Sequence, residues 1–322
     1  MAHTGIAFVG AGDIADLHAA GVGACASADL VGLFDIDQVK ARKKADHFGC
    51  GCYASLDELL ADGSVDAVFV LTPLESHSEN AIAALLAGKH VLVEKPAGCD
   101  IGQMELMREA AAEAGKLCVP VHNYLYEDGV IRTRQLLDGG KLGDLVALYV
   151  LYNIHHPEAV AARYPGVVRQ ILTHHAYLTC YLGGSPRRAM AMASTINDGS
   201  VDKENLAMAL LELEGGGLAH LEASFAADDH SADNWTFAIK VIGTKGATRF
   251  SHADWVQNEK AAVHSHTYSA YHYSIQNTAR YFIERCIGEG DPALSTLEDA
   301  IVCQRVVEAI ERSVQDAASV AI

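Results

Sequence analysis

The sequence predicts an α/β protein: an N-terminal doubly wound parallel sheet, then an α+β domain built on a large, mainly antiparallel open sheet. Three observations predict it. Short apolar runs alternate with helical stretches of roughly 10–15 residues as far as about residue 120. A glycine-rich turn joins the first of those runs to the first helix. After Asn123 the apolar runs are joined by hairpin turns instead.

Each element has its own local reason. Gly5 to Val9 is a fully apolar run, as expected of a strand covered on both faces, and a helix follows from about Asp13 with Ile14, Leu17 and Ala20 on one side. Leu30–Phe34 and Ala67–Leu71 repeat the strand pattern, and Thr72-Pro73 closes the second of them. Helices are expected over Val39–Phe48, Ser78–Ala87 and Ile101–Ala114, the last two stopped by Gly88 and Gly115. His90–Val93 and Leu117–Val119 complete the parallel set. Beyond a boundary near residue 122, Glu127–Leu137 reads as a helix, and Asp144–Ile154 and Arg188–Ile196 as long β-rich runs. Leu206–Leu213 and Leu218–Phe225 flank Glu214-Gly215-Gly216-Gly217, while Phe237–Ile242 and Ala247–Phe250 flank Gly243-Thr244-Lys245-Gly246. Val168–Leu182 is a helix stopped by Gly183-Gly184. Two long helices, Tyr271–Ile287 and Leu297–Val314, close the chain, the second capped by Ser295 or Thr296. The expected domains are therefore 1–122 and 123–322, with the final helices available to pack back on the first.

Composition narrows the function. Half of the 322 residues are hydrophobic, enough for a sizeable core, and the formal net charge of −17 argues against nucleic acid or anionic membranes as partners. No apolar run reaches the ~18 residues of a membrane span. MAHTGIAFVG has neither a basic n-region nor a cleavage site, so a cytoplasmic protein with its eight cysteines reduced is expected. The histidines pair at His155-His156 and His174-His175 and gather loosely at His264, His266 and His272. Their spacing matches no zinc motif, and no metal is expected.

Gly10-Ala11-Gly12-Asp13-Ile14-Ala15 fits a dinucleotide-binding turn with alanine as the third small residue. Gly10 permits the tight turn, Gly12 leaves room for a pyrophosphate, and the helix N-terminus at Asp13 and Ile14 offers backbone N–H groups to it. Asp35 follows the second strand, 20 residues past Ala15. A carboxylate there accepts hydrogen bonds from ribose hydroxyls and repels a 2′-phosphate, and no arginine stands beside it. The cofactor expected of this Rossmann-type unit is NAD rather than NADP.

Residues 72–96 read TPLESHSENAIAALLAGKHVLVEKP. With Thr72-Pro73, His77, Ala83, Gly88-Lys89-His90 and Glu94-Lys95-Pro96 at these spacings, the segment resembles the glucose–fructose oxidoreductase and inositol dehydrogenase family, also called Gfo/Idh/MocA. Leu142-Gly143, Ile242-Gly243-Thr244-Lys245-Gly246 and Ser295–Ser313 extend the likeness over most of the chain. The resemblance implies an NAD-dependent dehydrogenase acting on CH–OH groups of a sugar or cyclitol. It implies that Thr72, Pro73, His77, Glu94, Lys95 and Asn123 line the cofactor, and that the bond between Lys95 and Pro96 is often cis. Lys95 would lie by the reacting oxygen, where an ammonium stabilises an alkoxide or polarises a ketone.

The family carries Asp-x-x-x-His on a helix of its second domain. Counting back from Tyr181-Leu182-Gly183 places that histidine at His174, with His175 the alternative if the register slips by one; the aspartate position holds Gln170. Glutamine binds a sugar hydroxyl but takes no proton. At His122-Asn123-Tyr124-Leu125 the family's arginines are missing, which favours a neutral polyol over a phosphorylated or carboxylated one. Tyr124, His155, His156, Arg163 and Tyr164 are further candidates for the substrate pocket. Two other readings stay open: an enzyme that retains NAD and works by transient oxidation, as a lyase or glycosidase with metal assistance, and a non-catalytic NAD-binding sensor. Leu206–Leu211 is apolar on both sides, so a homodimer or homotetramer through the second sheet is expected.

Overall fold

The computed structural model describes residues 3–154, 156, 161–162, 164–196, 203–226, 235–251 and 267–322. Contacts divide the chain into two compact units: residues 1–126 with 272–301, and residues 127–271 with 302–322. The first unit thus takes in much of the chain's penultimate helix.

In the first unit the described elements are β1 (Thr4–Val9), α1 (Ile14–Gly23), β2 (Ala28–Phe34), α2 (Gln38–Phe48), β3 (Gly51–Cys52), α3 (Leu56–Ala61), β4 (Ala67–Val70), α4 (His77–Leu86), β5 (His90–Val93), α5 (Ile101–Ala114) and β6 (Cys118–Pro120). The strands form a parallel sheet in the order β3-β2-β1-β4-β5-β6. The order reverses between β1 and β4, and in such sheets ligands bind beyond the strands' carboxyl ends at that point.

Alternation along the strands divides the core. Ala7, Val9, Val68, Val70, Val91 and Val93 face Ala81, Ala84 and Leu85 of α4 and Met104 and Met107 of α5. On the opposite face Phe8 stacks on Phe69 at 5.4 Å, and Phe69 meets Phe282 at 6.0 Å. Lys89, between α4 and β5, is buried; its ammonium donates to Asp62 O at 2.8 Å and Val65 O at 2.7 Å, so this member of the motif is a tie within the fold.

Two of these elements were not expected. α3 is only six residues long, held by Ser55 Oγ accepting the Glu58 N–H at 3.1 Å while Glu58 reaches back to the Ala54 N–H at 2.7 Å. β3, at two residues, is too short to show any periodicity.

The second unit contains α6 (Asp128–Asp138), β7 (Leu145–Ile154), α7 (Thr173–Gly183), β8 (Pro186–Ser194), β9 (Leu206–Leu213), β10 (Leu218–Ser224), β11 (Trp235–Gly243) and β12 (Ala247–Ser251). Helices α8 (Thr267–Arg280) and α9 (Leu297–Asp316) begin or end here, and β13 (Val320–Ala321) ends the chain. The sheet order is β12-β11-β7-β10-β9-β8-β13. Every described pairing is antiparallel except β10 with β7, so the sheet is mixed, because the β8–β9–β10 meander returns beside β7 in β7's own direction.

The helix expected over residues 168–182 is divided. Val168–Leu172 forms a π turn before α7 begins. At the junction Thr173 Oγ1 donates to Arg169 O at 2.7 Å. The capping residue of α9 is Thr296: its hydroxyl and N–H both reach Asp299 Oδ2 at 2.8 Å, which leaves Ser295 for another role.

Candidate active site

The glycine turn after β1 is built for close approach. Gly10 has φ +108°, and a Cβ there would lie 2.6 Å from Leu71 O, so both conformation and space require glycine. Gly12 is different: the nearest atom to a Cβ would be 4.0 Å away. No internal packing demands glycine at that point, which leaves its backbone open to a ligand. Asp35, just past β2, ties itself to this turn. Its Oδ2 accepts the Ala11 N–H at 2.7 Å and its Oδ1 accepts the Asp37 N–H at 2.9 Å. Each carboxylate oxygen keeps a lone pair for a hydroxyl donor. Asp13 stands exposed at the start of α1, and its side chain caps nothing. These residues fit the diphosphate and ribose of a dinucleotide. Ile36, 93% exposed beside Asp35, is an apolar surface that the sequence reading did not single out.

The charged pair at the end of β5 splits in two directions. Leu92 lies on the α1 face of the sheet, and Glu94, two residues on, keeps that side. His18, fully buried in α1, donates from Nε2 to Glu94 Oε1 at 2.8 Å. Glu94 Oε2 accepts the Lys95 N–H at 3.1 Å. Burial alone would raise the Glu94 carboxyl, but the His18 hydrogen bond, with the charges of His18, Lys95 and His77, holds it below its ordinary value. Burial pushes the Lys95 ammonium down from 10.5 to about 8, against the opposing pull of Glu94. The Lys95–Pro96 peptide is cis.

Around this pair three of the expected site residues are buried or already partnered within the fold. His77, expected at the cofactor, has both ring nitrogens taken by carbonyl oxygens: Nδ1 lies 2.8 Å from Pro96 O and Nε2 2.7 Å from Thr72 O. It has no nitrogen left for a ligand. Tyr124, expected to line the substrate, is fully buried with Leu125 in the turn that follows β6 and offers no face to a ligand. His175 is likewise at 0% exposure, and neither of its ring nitrogens has a hydrogen-bond partner among the described residues. Burial drives its pKa down to about 3, with a contribution from His220. His175 is a core residue.

The Thr72 hydroxyl is buried with no partner among the described residues, in the segment that Pro73 closes. Asn123 is buried, its amide donating to Ser274 Oγ at 2.6 Å. His122, to which the sequence reading gave no role, pairs through Nδ1 with Ser295 Oγ at 2.6 Å; burial and then the Lys95 charge take its pKa down to about 3. In the second unit His174 Nδ1 lies 2.7 Å from the Tyr177 hydroxyl, and its ring packs edge-on to Tyr152. Gln170 sits half-buried in the π turn. His156 and Tyr164 cluster with Phe225, at 4.9 Å for the histidine and 5.8 Å for the tyrosine. His155, Arg163, His264 and His266 lie outside the described residues. Among the described residues no three of His, Cys, Asp or Glu converge on a metal position.

Residues 4–122 match the model of an oxidoreductase family with an NAD-binding Rossmann fold, and residues 130–249 match the C-terminal domain model of the same family. The chain belongs to the GFO/IDH/MocA oxidoreductase family. Among its GFO/IDH/MocA relatives, scyllo-inositol 2-dehydrogenase (NADP(+)) IolW of Bacillus subtilis is 32% identical over 162 residues, 48% of this chain and 45% of that protein. The 1,5-anhydro-D-fructose reductase of Ensifer adhaerens is 28% identical over 251 residues, covering 74% of this chain and 73% of its own. The first two curated relatives are thus matched over less than half of their length, 45% and 41%. Among solved structures, scyllo-inositol dehydrogenase from Lactobacillus casei with bound NAD(H) and scyllo-inositol superposes with a TM-score of 0.86 at 22% identity over 99% of both chains. GenD2 from gentamicin A biosynthesis, in complex with NAD, gives 0.85 at 24% identity over 100% of this chain and 97% of its own. The GFO/IDH/MocA fold is therefore shared across the whole chain.

Proposed function

We propose that this chain is an NAD(H)-dependent oxidoreductase acting between a secondary hydroxyl and a ketone on a sugar, a cyclitol or a derivative of one. The observation that carries this reading is Lys95: an ammonium at the end of β5, brought by burial to about 8 and backed by Glu94. A proton carrier works best with a pKa near the working pH. Bound NAD supplies the hydride acceptor or donor.

The residues of the chain do the rest. Charged Lys95 donates to the substrate oxygen and stabilises an alkoxide or polarises a ketone; neutral Lys95 accepts the hydroxyl proton as the C–O bond becomes a carbonyl. His174 is the proposed second proton carrier, on the strength of its place in the sequence pattern. Gln170 would bind a hydroxyl without exchanging a proton. Asp35 supports NAD over NADP, because its anchored carboxylate would repel a 2′-phosphate, and Ile36 offers its apolar surface to the adenine ring. The relatives named for inositol and anhydrofructose support a neutral polyhydroxylated substrate.

The test is NADH formation from NAD across a panel of inositols and aldoses, with Lys95→Met and His174→Asn controls. Turnover on one polyol that disappears in both variants supports the reading; full turnover in Lys95→Met sinks it.

A homo-oligomer formed through the open face of the second sheet is part of the same proposal. That face carries Met190, Met192, Met208, Leu210 and Leu218, exposed by 43–78%. Register aligns Met190 with Leu210 and Met192 with Met208 across β8 and β9, an apolar patch on a face that also carries Glu212, His220 and Glu222. The alternate residues Ala189, Ala191, Ala207, Ala209 and Leu211 are buried, and α7 packs against β7, β8 and β10.

A further inference from the structure

His77 opens α4 and is almost wholly buried, and both of its ring nitrogens face backbone carbonyls, Pro96 O at 2.8 Å and Thr72 O at 2.7 Å. Carbonyl oxygens only accept hydrogen bonds, so whichever ring nitrogen carries a proton has a backbone acceptor in reach. A side chain used in this way recognises nothing outside the protein. What it joins is informative. Thr72 belongs to the loop that leaves β4, and Pro96 to the loop that leaves β5. The two strands run side by side in register, with Val70 opposite Val93, up to the points where those loops begin. The last ladder bond runs from the Glu94 N–H to Val70 O at 3.0 Å; past it the ladder no longer couples the two segments, and His77 bridges the loops.

Lys95 is the residue between the two fixed points. On its N-terminal side, Glu94 is held by His18 at 2.8 Å and accepts the Lys95 N–H at 3.1 Å. On its C-terminal side, the next carbonyl in the chain is the one His77 holds. We infer that His77 is a positioning residue for Lys95: by tying the loop after β5 to the loop after β4, it sets where the Lys95 side chain emerges. The inference rests on the reading of Lys95 given above. It assigns His77 no contact with substrate or cofactor. A partly buried lysine whose backbone is fixed by two loops keeps its direction only while both loops are held, and a displacement of about 1 Å at a reacting group costs on the order of 100-fold in rate.

The test uses the full chain, with His77→Leu, which removes both ring nitrogens, His77→Gln, which keeps one amide, and Lys95→Met. The titration of Lys95 is followed by NMR on lysine-labelled protein, the Lys95→Met spectrum identifying its signal. NAD affinity, thermal midpoint, and kcat and KM on a polyol that the wild-type protein oxidises are measured alongside. In the wild type the Lys95 midpoint is expected near 8. In His77→Leu it moves toward 10.5 as the ammonium swings to water, kcat falls roughly 30-fold or more, and KM and NAD affinity stay within about 3-fold; His77→Gln falls between. An unmoved Lys95 midpoint in a folded His77→Leu or His77→Gln protein overturns the inference, as does loss of NAD affinity in step with kcat, which would make His77 part of the cofactor cradle. Full turnover in Lys95→Met with a shifted midpoint in His77→Leu would leave the positioning role standing and remove the catalytic reading of Lys95 instead.

Discussion

His18 and Glu94, 76 residues apart in the sequence, are joined by a hydrogen bond of 2.8 Å that anchors the carboxylate behind Lys95. The anion draws the lysine up against a burial that pulls it down. Replacing Glu94 with Gln removes the anion and keeps the shape. The Lys95 pKa should then fall below 8 by about one unit. If charged Lys95 is the acid in ketone reduction, kcat/KM in that direction declines as pH rises through about 8 in the wild type, and the decline begins at lower pH in Glu94→Gln. Identical pH profiles for the two proteins would refute the coupling.

Lys95 itself is a cost to folding. Its folded pKa of about 8 lies below the unfolded 10.5, so the unfolded chain binds more protons between those values. Stability therefore rises with pH across that window and is lowest, as far as this group is concerned, below pH 8. Lys95→Met should raise the thermal midpoint at pH 7 by roughly 2–4 °C while cutting kcat by about 100-fold or more. A lower midpoint would show that the lysine stabilises the fold.

The buried histidines predict acid sensitivity. His122 and His175 are both held near 3 in the folded protein by burial, against 6.5 for the free side chain. Their folded values are depressed, so their contribution is fully present above about pH 6.5 and is lost progressively as pH falls toward 3. His175→Leu removes one such group together with two unsatisfied ring nitrogens. It should flatten the fall of the thermal midpoint between pH 6.5 and 4 and leave kcat within about 2-fold. A large loss of kcat would return His175 to the substrate site.

Asp35 should decide between the two dinucleotides. Asp35→Ser removes the carboxylate that would meet the ribose and is expected to weaken NAD by roughly 10-fold while strengthening NADP. Binding titrations with both dinucleotides check this, and an unchanged NAD-to-NADP ratio contradicts it.

The open face of the second sheet makes an independent prediction. Met208→Glu with Leu210→Glu places charge at the centre of the apolar surface. Light scattering coupled to gel filtration should show an oligomer for the wild type and a monomer for the double variant, with circular dichroism unchanged. A monomeric wild type refutes the proposal.

Much of this architecture is legible in the residues. β5 and α5 fall where the apolar run and the helical stretch stopped by Gly115 place them, and β9 matches its expected span to the residue. The glycine turn and Asp35 were legible too, because each depends on local backbone geometry. β3 and α3 were missed for lack of length, and the π turn before α7 because a wider turn confined to five residues leaves almost no mark on hydrophobic spacing. Lys89 and His77 belong to the pattern that suggested chemistry, yet both spend their donors on backbone carbonyls. Residue type alone does not distinguish a donor aimed at a ligand from one aimed at a neighbouring loop.

The sequence by itself determined the order of the longer strands and helices, the parallel and hairpin regimes, and the turn that fits a dinucleotide, since each follows from periodicity or from one residue's allowed backbone angles. Only the tertiary structure decided that β10 lies parallel to β7, that His18 meets Glu94, that His77 ties the loops on either side of Lys95, and that Tyr124 and His175 belong to the interior. Those facts depend on which segments lie next to each other in space. The hydrogen bonds and the burial that fix them come from partners many residues away, and no local pattern carries that information.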